Sequence, residues 1–179
     1  MGANHYEYSD GITTERLYTR FLNKEDWKLW VEFYQSQEAI KLFPVVGNSD
    51  EERAQIWVNR QLKRYQEGKY GLQLVLHKET NEVIGQAGLL LQVVDGENEI
   101  EIGYHVLHKH WGNGYATEIA KGFKEYCFEN GISNSVVTII NRKNIRSQRV
   151  AIKNGLTLEK ETRWGGQDVF LYRLHILNS

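Results

Sequence analysis

The sequence predicts a mixed α/β fold, α+β in organisation. One mostly antiparallel, partly parallel sheet of seven strands is flanked by about four helices. Three observations carry this. Stretches of strand and helix periodicity follow one another in the order β-α-α-β-β-β-α-β-α-β-β. Two long central strands meet at Asp95-Gly96, a two-residue hairpin signal. A short glycine loop, Trp111 to Gly114, joins a strand to a helix.

Taken in order, Arg16 to Leu22 reads as the first strand. Asn23, with Asp26 three residues on, starts a helix whose stripe is Trp27, Trp30, Val31 and Tyr34. Ala39 to Gly47 is irregular and holds Phe43-Pro44. Ser49 and Glu52 form a capping box for a second helix, with Ala54, Trp57, Val58, Leu62 and Tyr65 on one face and Gly68 at its stop. Tyr70, Leu72, Leu74 and Leu76 alternate as a strand. Lys78 to Glu82 turns into the apolar run Val83 to Val94. Across the hairpin, Ile100, Ile102, Tyr104 and Val106 share one face of a strand; Glu97, Glu99, Glu101 and His105 share the other. The third helix buries Ala116, Ile119, Ala120, Phe123 and Cys127 and ends at Asn130-Gly131. Val136 to Ile140 is a short strand, Ser147 to Asn154 a short helix, and Leu156 to Thr162 and Val169 to Leu177 the last strands.

The chain has 179 residues, enough for one domain with a real core. We place that domain at residues 13–177, preceded by a loose, polar arm over residues 1–12. Lys plus Arg number 22 against 23 Asp plus Glu, so nothing points to a general nucleic-acid binder. One Cys excludes an internal disulfide framework and a Cys-rich zinc site. No run of about 20 apolar residues offers a membrane span, and the N-terminus has no apolar signal region. Gly2 follows Met1, but Tyr6 stands where a myristoylation motif wants Ser or Thr. The expectation is a cytoplasmic protein without nucleic-acid or membrane partners.

The segment Glu101 to Glu118, EIGYHVLHKHWGNGYATE, carries the chemistry. Small residues let backbone N–H groups approach a ligand, and a helix N-terminus adds a favourable dipole, so this is an anion site suited to a pyrophosphate. A dinucleotide motif would need a third glycine where Thr117 stands, and no Walker loop exists. On the loop alone, a plain glycine turn remains an equal reading. His105, His108 and His110 form a weak metal pattern with no supporting Cys or third motif; we assign no metal.

The loop and its context resemble the GCN5-related N-acetyltransferase (GNAT) superfamily. Trp111, Gly112, Asn113, Gly114, Tyr115 and Ala116 look like its pyrophosphate motif Gln/Arg-x-x-Gly-x-Gly/Ala, with Trp111 departing at the first position. TERLYTRFL, VIGQAGL and NIRSQRVAIKNGL (residues 144 to 156) are similar to further motifs of the branch that resembles the RimJ/RimL ribosomal-protein acetyltransferases. The resemblance covers residues 13 to 174. It implies a GNAT-like sheet with splayed central strands, acetyl-CoA as cosubstrate and acetyl transfer to an amine. Tyr104, His105 and Val106 would meet the pantetheine through backbone groups. Gly112 to Thr117 would hold the pyrophosphate, and Asn144 would bond the cofactor arm.

Direct transfer needs a base for the amine, an oxyanion donor and a proton source for the leaving thiolate. The thiol-side Tyr of many family members falls at Ala151 here, so Ser147 is the candidate donor; helix N-capping is its equal alternative. Glu101 is the preferred base, with Glu99 or water as alternatives and a solvated strand face as the plain reading. The oxyanion donor is assigned to backbone N–H near Val106. Cys127 is assigned to the core. The acceptor is an amine on a protein N-terminus, peptide, polyamine or small molecule. Trp27, Trp30, Phe33, Tyr34, Phe43, Trp164 and Tyr172 are wall candidates that also sit at core spacing. A homodimer follows by analogy only. The alternative function is a non-catalytic acyl-CoA-binding sensor on the same fold.

Overall fold

Asp95 and Gly96 both adopt positive φ, +51° and +87°, as a tight primed hairpin turn requires. They join β3 (Val83–Val94) to β4 (Glu97–Val106). The register runs unbroken from Val94↔Glu97 to Gly85↔Val106, so no bulge disturbs the two faces read for β4.

The computed structural model describes residues 7–176. β1 (Leu17–Phe21), β2 (Leu72–His77), β5 (Ser135–Asn141), β6 (Thr157–Trp164) and β7 (Gln167–His175) complete a seven-stranded sheet ordered β1-β2-β3-β4-β5-β7-β6. Every pairing is antiparallel except β4 with β5.

Helices cover both faces. α1 (Trp27–Gln35) and α3 (Asp50–Gln66) bury Trp30, Phe33, Tyr34, Ala54 and Val58 against Leu74 and Leu76 of β2. α4 (Tyr115–Glu129) buries Ile119, Ala120, Phe123 and Cys127 against Val75, Ala87, Leu89 and Ile102 on the other face. β2 is therefore buried on both sides, and its Gln73 and Val75 are as buried as the leucines the alternation singled out.

The structure departs from the sequence reading in local ways. A one-turn helix, α2 (Gln37–Ile40), takes up the first two residues of the segment read as irregular, 39–47, and Ser36 Oγ caps it by accepting from Ala39 N. Ser49 Oγ caps α3 through Glu52 N, but the Glu52 carboxylate reaches Asn48 N. α5 (Ile145–Lys153) begins earlier than Ser147, because Asn144 Oδ1 accepts from Ser147 N and is the N-cap.

Of the arm expected over residues 1–12, the first six lie outside the described residues. The rest is fastened rather than loose. Tyr8 OH donates to Gly71 O at 2.7 Å and accepts from Leu89 N. Asp10 Oδ1 accepts from Phe21 N, and Ile12 N donates to Thr19 Oγ1. The Tyr8 ring meets Tyr70 edge-on at 5.1 Å, so aromatic packing holds a segment whose polarity suggested freedom. Among the described residues, no helix is long and apolar enough to cross a membrane.

Candidate active site

The glycine loop is held from outside itself. Gly112 and Gly114 take φ of +82° and +78°, a region that strains any side chain. Gly114 is the N-cap of α4 and no side chain caps it. The first N–H groups of α4 therefore lack helical partners and face outward with the helix dipole. Arg16 clips the loop: Nη1 donates to Asn113 O at 3.0 Å, and the guanidinium lies 4.6 Å from the Tyr115 ring centroid. Its Nε and backbone N–H both donate to Glu118, each at 2.7 Å, and Thr14 Oγ1 adds a third donor at 2.6 Å. Burial pushes the Glu118 pKa up, but these donors outweigh it and hold the carboxyl below its usual range.

Trp111 occupies the position where the pyrophosphate motif has Gln or Arg. Its Nε1 donates to Val106 O at 2.9 Å. Its face carries the guanidinium of Arg146, 4.4 Å from the ring centroid. A cation thus reaches the loop from α5 instead of from the loop itself.

β4 and β5 pair in register only at Glu101↔Val137, then part. Leu107 N donates to Ile84 O, so antiparallel alternation turns the backbone groups of His105 toward Gln86 on β3. The same alternation turns those of Ile102, Tyr104 and Val106 toward the gap. With their backbone groups, Tyr104 and Val106 thus face the cleft. His105 does not: its backbone is committed to β3, and only its side chain bears on the site.

On the α5 side of the gap, Ser147 Oγ donates to Tyr104 OH at 3.0 Å, and Tyr104 OH donates to Ser147 O at 3.1 Å. With Asn144 serving as the cap, the Ser147 hydroxyl is not spent on the helix terminus, and its proton goes to Tyr104. Burial raises the Tyr104 pKa, so its phenol keeps its proton. Thr138 Oγ1 is buried on this face with no hydrogen-bond partner among the described residues.

On the opposite face, Glu101 marks the point where the strands part. It is only 9% exposed, and Gln92 Nε2 donates to its carboxylate at 2.8 Å. Burial raises its pKa, although Gln92, the Ile139 N–H and the nearby Arg64 all favour the ionised form. Glu99 is different: Arg173 of β7 grips it with both terminal nitrogens, one at 2.8 Å, and also holds Glu159. Both oxygens of Glu99 are thus taken by one guanidinium, whereas Glu101 meets the Gln92 amide, which separates the two glutamates. His105 lies among Phe33, Phe43 and Trp57 at ring distances of 6.0, 5.0 and 5.4 Å. Burial without an acidic partner pulls its pKa down to about 4, so the ring is neutral at pH 7.

Other candidates sort by position. Burial pushes the Cys127 thiol up to about 11, which suits a core residue. The three histidines do not converge: His108 packs on Trp111, and His110 Nε2 contacts Val83 O. Trp30, Phe33 and Tyr34 are core, whereas Phe43 and Trp57 are partly exposed beside His105. Trp164 Nε1 donates to Val93 O, and Tyr172 OH to Gln148 Oε1. The sequence reading missed Arg16, Gln92, Arg146 and the Tyr104 side chain.

The family model for the acetyltransferase (GNAT) domain matches residues 16–157. The YkkB protein of Bacillus subtilis is 34% identical over 128 residues, covering 70% of this chain and 73% of its own. An acetyltransferase from Agrobacterium tumefaciens superposes with a TM-score of 0.78 at 26% identity, over 98% of this chain and 99% of that one. Mycobacterium smegmatis RimJ, solved in complex with CoA-disulfide, superposes with a TM-score of 0.76 at 17% identity, over 93% and 87%.

Proposed function

The chain belongs to the GNAT acetyltransferase family, and from that premise we propose that it moves the acetyl group of acetyl-CoA directly onto a primary amine, with Glu101 as base and Ser147 as donor to the leaving sulfur. The observation that carries the reading is the parting of β4 from β5 at Glu101. It opens a slot with a buried carboxylate on one face and the Ser147–Tyr104 pair on the other. The glycine loop lies just beyond β4. RimJ holds CoA on the same fold, which supports the ligand class.

In this mechanism the pyrophosphate rests on N–H groups of Gly112 to Thr117, and the pantetheine pairs with the outward backbone groups of Tyr104 and with the Val106 carbonyl, which also accepts from Trp111 Nε1. Asn144 Oδ1 is spent on capping α5, so only its amide N–H groups remain for the cofactor arm. Glu101, directly or through one water, takes a proton from the ammonium, and the amine attacks the thioester carbonyl. The Val106 N–H stabilises the oxyanion. As the intermediate collapses the C–S bond breaks, the amide nitrogen gives up its second proton, and the thiolate takes one from the Ser147 hydroxyl, which turns from Tyr104 and regains its proton from that nitrogen.

Acetyl-CoA consumption measured as thiol release against a panel of amines, with the N-acetyl product identified by mass, tests this reading. Saturable CoA binding with no release from any amine would instead fit a non-catalytic acyl-CoA-binding module. Ser147→Ala is expected to lower kcat by about tenfold or more while acetyl-CoA affinity stays near wild type. Wild-type turnover in that folded variant excludes the donor role. Arg146→Ala is expected to weaken acetyl-CoA binding about 5- to 10-fold and to flatten its salt dependence. The same variant should leave kcat/KM for acetyl-pantetheine, which lacks the phosphates, unchanged; an equal loss with both donors would assign Arg146 to structure alone.

A further inference from the structure

The amine side of the cleft carries cations that no group among the described residues pairs with directly. Trp57, Arg60 and Arg64 recur at successive turns of one stripe of α3. Trp57 is fixed at one end: its Nε1 donates to Gln86 Oε1 at 2.9 Å, and its ring meets His105. Arg64 lies within electrostatic reach of Glu101 at the other end. α3 therefore runs opposite to β4. The spans agree, since seven helical residues cover ~10 Å and four strand residues ~13 Å.

Arg64 is half-buried, yet among the described residues its side chain has no hydrogen bond and no ion pair. Of the carboxylates near it, Glu101 is engaged by Gln92, and Glu67 pairs with Lys69 at 2.7 Å. Arg60, at the exposed rim, lies 5.9 Å from the Trp57 ring centroid, and among the described residues its side chain has no hydrogen bond or ion pair. Gln86 adds a third donor. Its Oε1 is committed to Trp57, which fixes the amide orientation, and its Nε2 is buried with no partner among the described residues. Partly desolvating a guanidinium costs free energy that the attraction of Glu101 and Glu67, with no direct bond, returns only in part. An arginine fork matches a carboxylate better than any other small group.

We propose that the acceptor is an amine carrying a carboxylate a few bonds from its nitrogen, received by Arg64 with Arg60 and Gln86 in support. A free amino acid and a peptide N-terminus followed by an acidic residue share that chemistry. The inference rests on the reading of this cleft face as the amine side of an acetyltransferase.

Matched amines test it: phenylalanine against phenethylamine, and a tetrapeptide with Asp second against the same peptide with Asn. The carboxylated member of at least one pair is expected to show a kcat/KM at least about tenfold higher, and the pair that responds identifies the source. Arg64→Gln should collapse that ratio toward one, and Arg64→Lys should restore part of it. Equal or faster reaction of the uncharged members, or a ratio untouched in Arg64→Gln, overturns the proposal. A second measurement needs no turnover. The N-acetylated amino acid and peptides, each with its uncharged counterpart, are titrated into the protein–CoA complex and followed by tryptophan fluorescence. The carboxylated product should bind about tenfold more tightly to the wild type and equally to Arg64→Gln. Equal or absent binding overturns the inference. A binding preference without thiol release from any amine would instead sink the acetyl-transfer reading and leave the anion site standing.

Discussion

Glu101→Gln is expected to lower kcat by about 10²- to 10⁴-fold, the range for loss of a general base. Its effect on acetyl-CoA affinity should be small, because the phosphates bind at the far end of β4. The pH profile provides the sharper check. Burial raises the Glu101 pKa, so the wild-type rate should fall on acidification through a group titrating above the usual carboxylate range. The base must be ionised to accept a proton, so activity rises with pH across that limb. In Glu101→Gln the limb should vanish. A variant that keeps both rate and limb would move the base elsewhere. The glutamine is close in size and can still hydrogen-bond Gln92, so the fold should survive, and an unchanged Tm confirms that the loss is chemical.

Glu118→Ala should produce the largest loss of stability. The carboxylate is 15% exposed and receives Thr14 Oγ1, Arg16 N and Arg16 Nε. Charge-assisted bonds of this kind contribute ~1.5–3 kcal/mol each. The 40% exposure of Arg16 and its solvent screening reduce the total. A loss of about 2–3 kcal/mol, or a Tm lower by about 5–10 °C, is expected. The pH dependence has a definite sign. The folded pKa is depressed, so the stabilisation is complete above the unfolded value of about 4.3 and is lost as pH falls through the folded one. The gap between wild type and variant should therefore close in acid. Acetyl-CoA affinity should drop as well, since Arg16 loses the partner that aims it at Asn113 and Tyr115. A Tm unchanged at pH 7 would show that the clip does not hold the loop.

These two residues differ in how far the sequence exposes them. Glu101 stands out on an alternating strand, but so does Glu99, two residues away on the same face. Period and spacing cannot separate them, because the difference lies in partners from other strands: Arg173 of β7 takes Glu99, and Gln92 of β3 takes Glu101. Glu118 looks like an ordinary polar residue in the first turn of a helix. Its donors stand 102 and 104 residues away, and no local pattern announces them. Ser147 sits between these cases. Its segment is legible, but Asn144, not Ser147, proves to be the cap, which leaves the hydroxyl for Tyr104.

By itself, the sequence determined the order of strands and helices, the Asp95-Gly96 turn, the glycine loop and the two faces of β4. Each depends on side-chain periodicity or on backbone conformations that few residues accept, and such preferences act over a handful of residues. Only the tertiary structure decided where β4 leaves β5, which glutamate stays unpaired by a cation, and that Arg146 brings charge to a loop whose first residue is Trp111. Burial, desolvation and ion pairing depend on groups brought together across the whole chain, so they come into being only when the sheet is assembled.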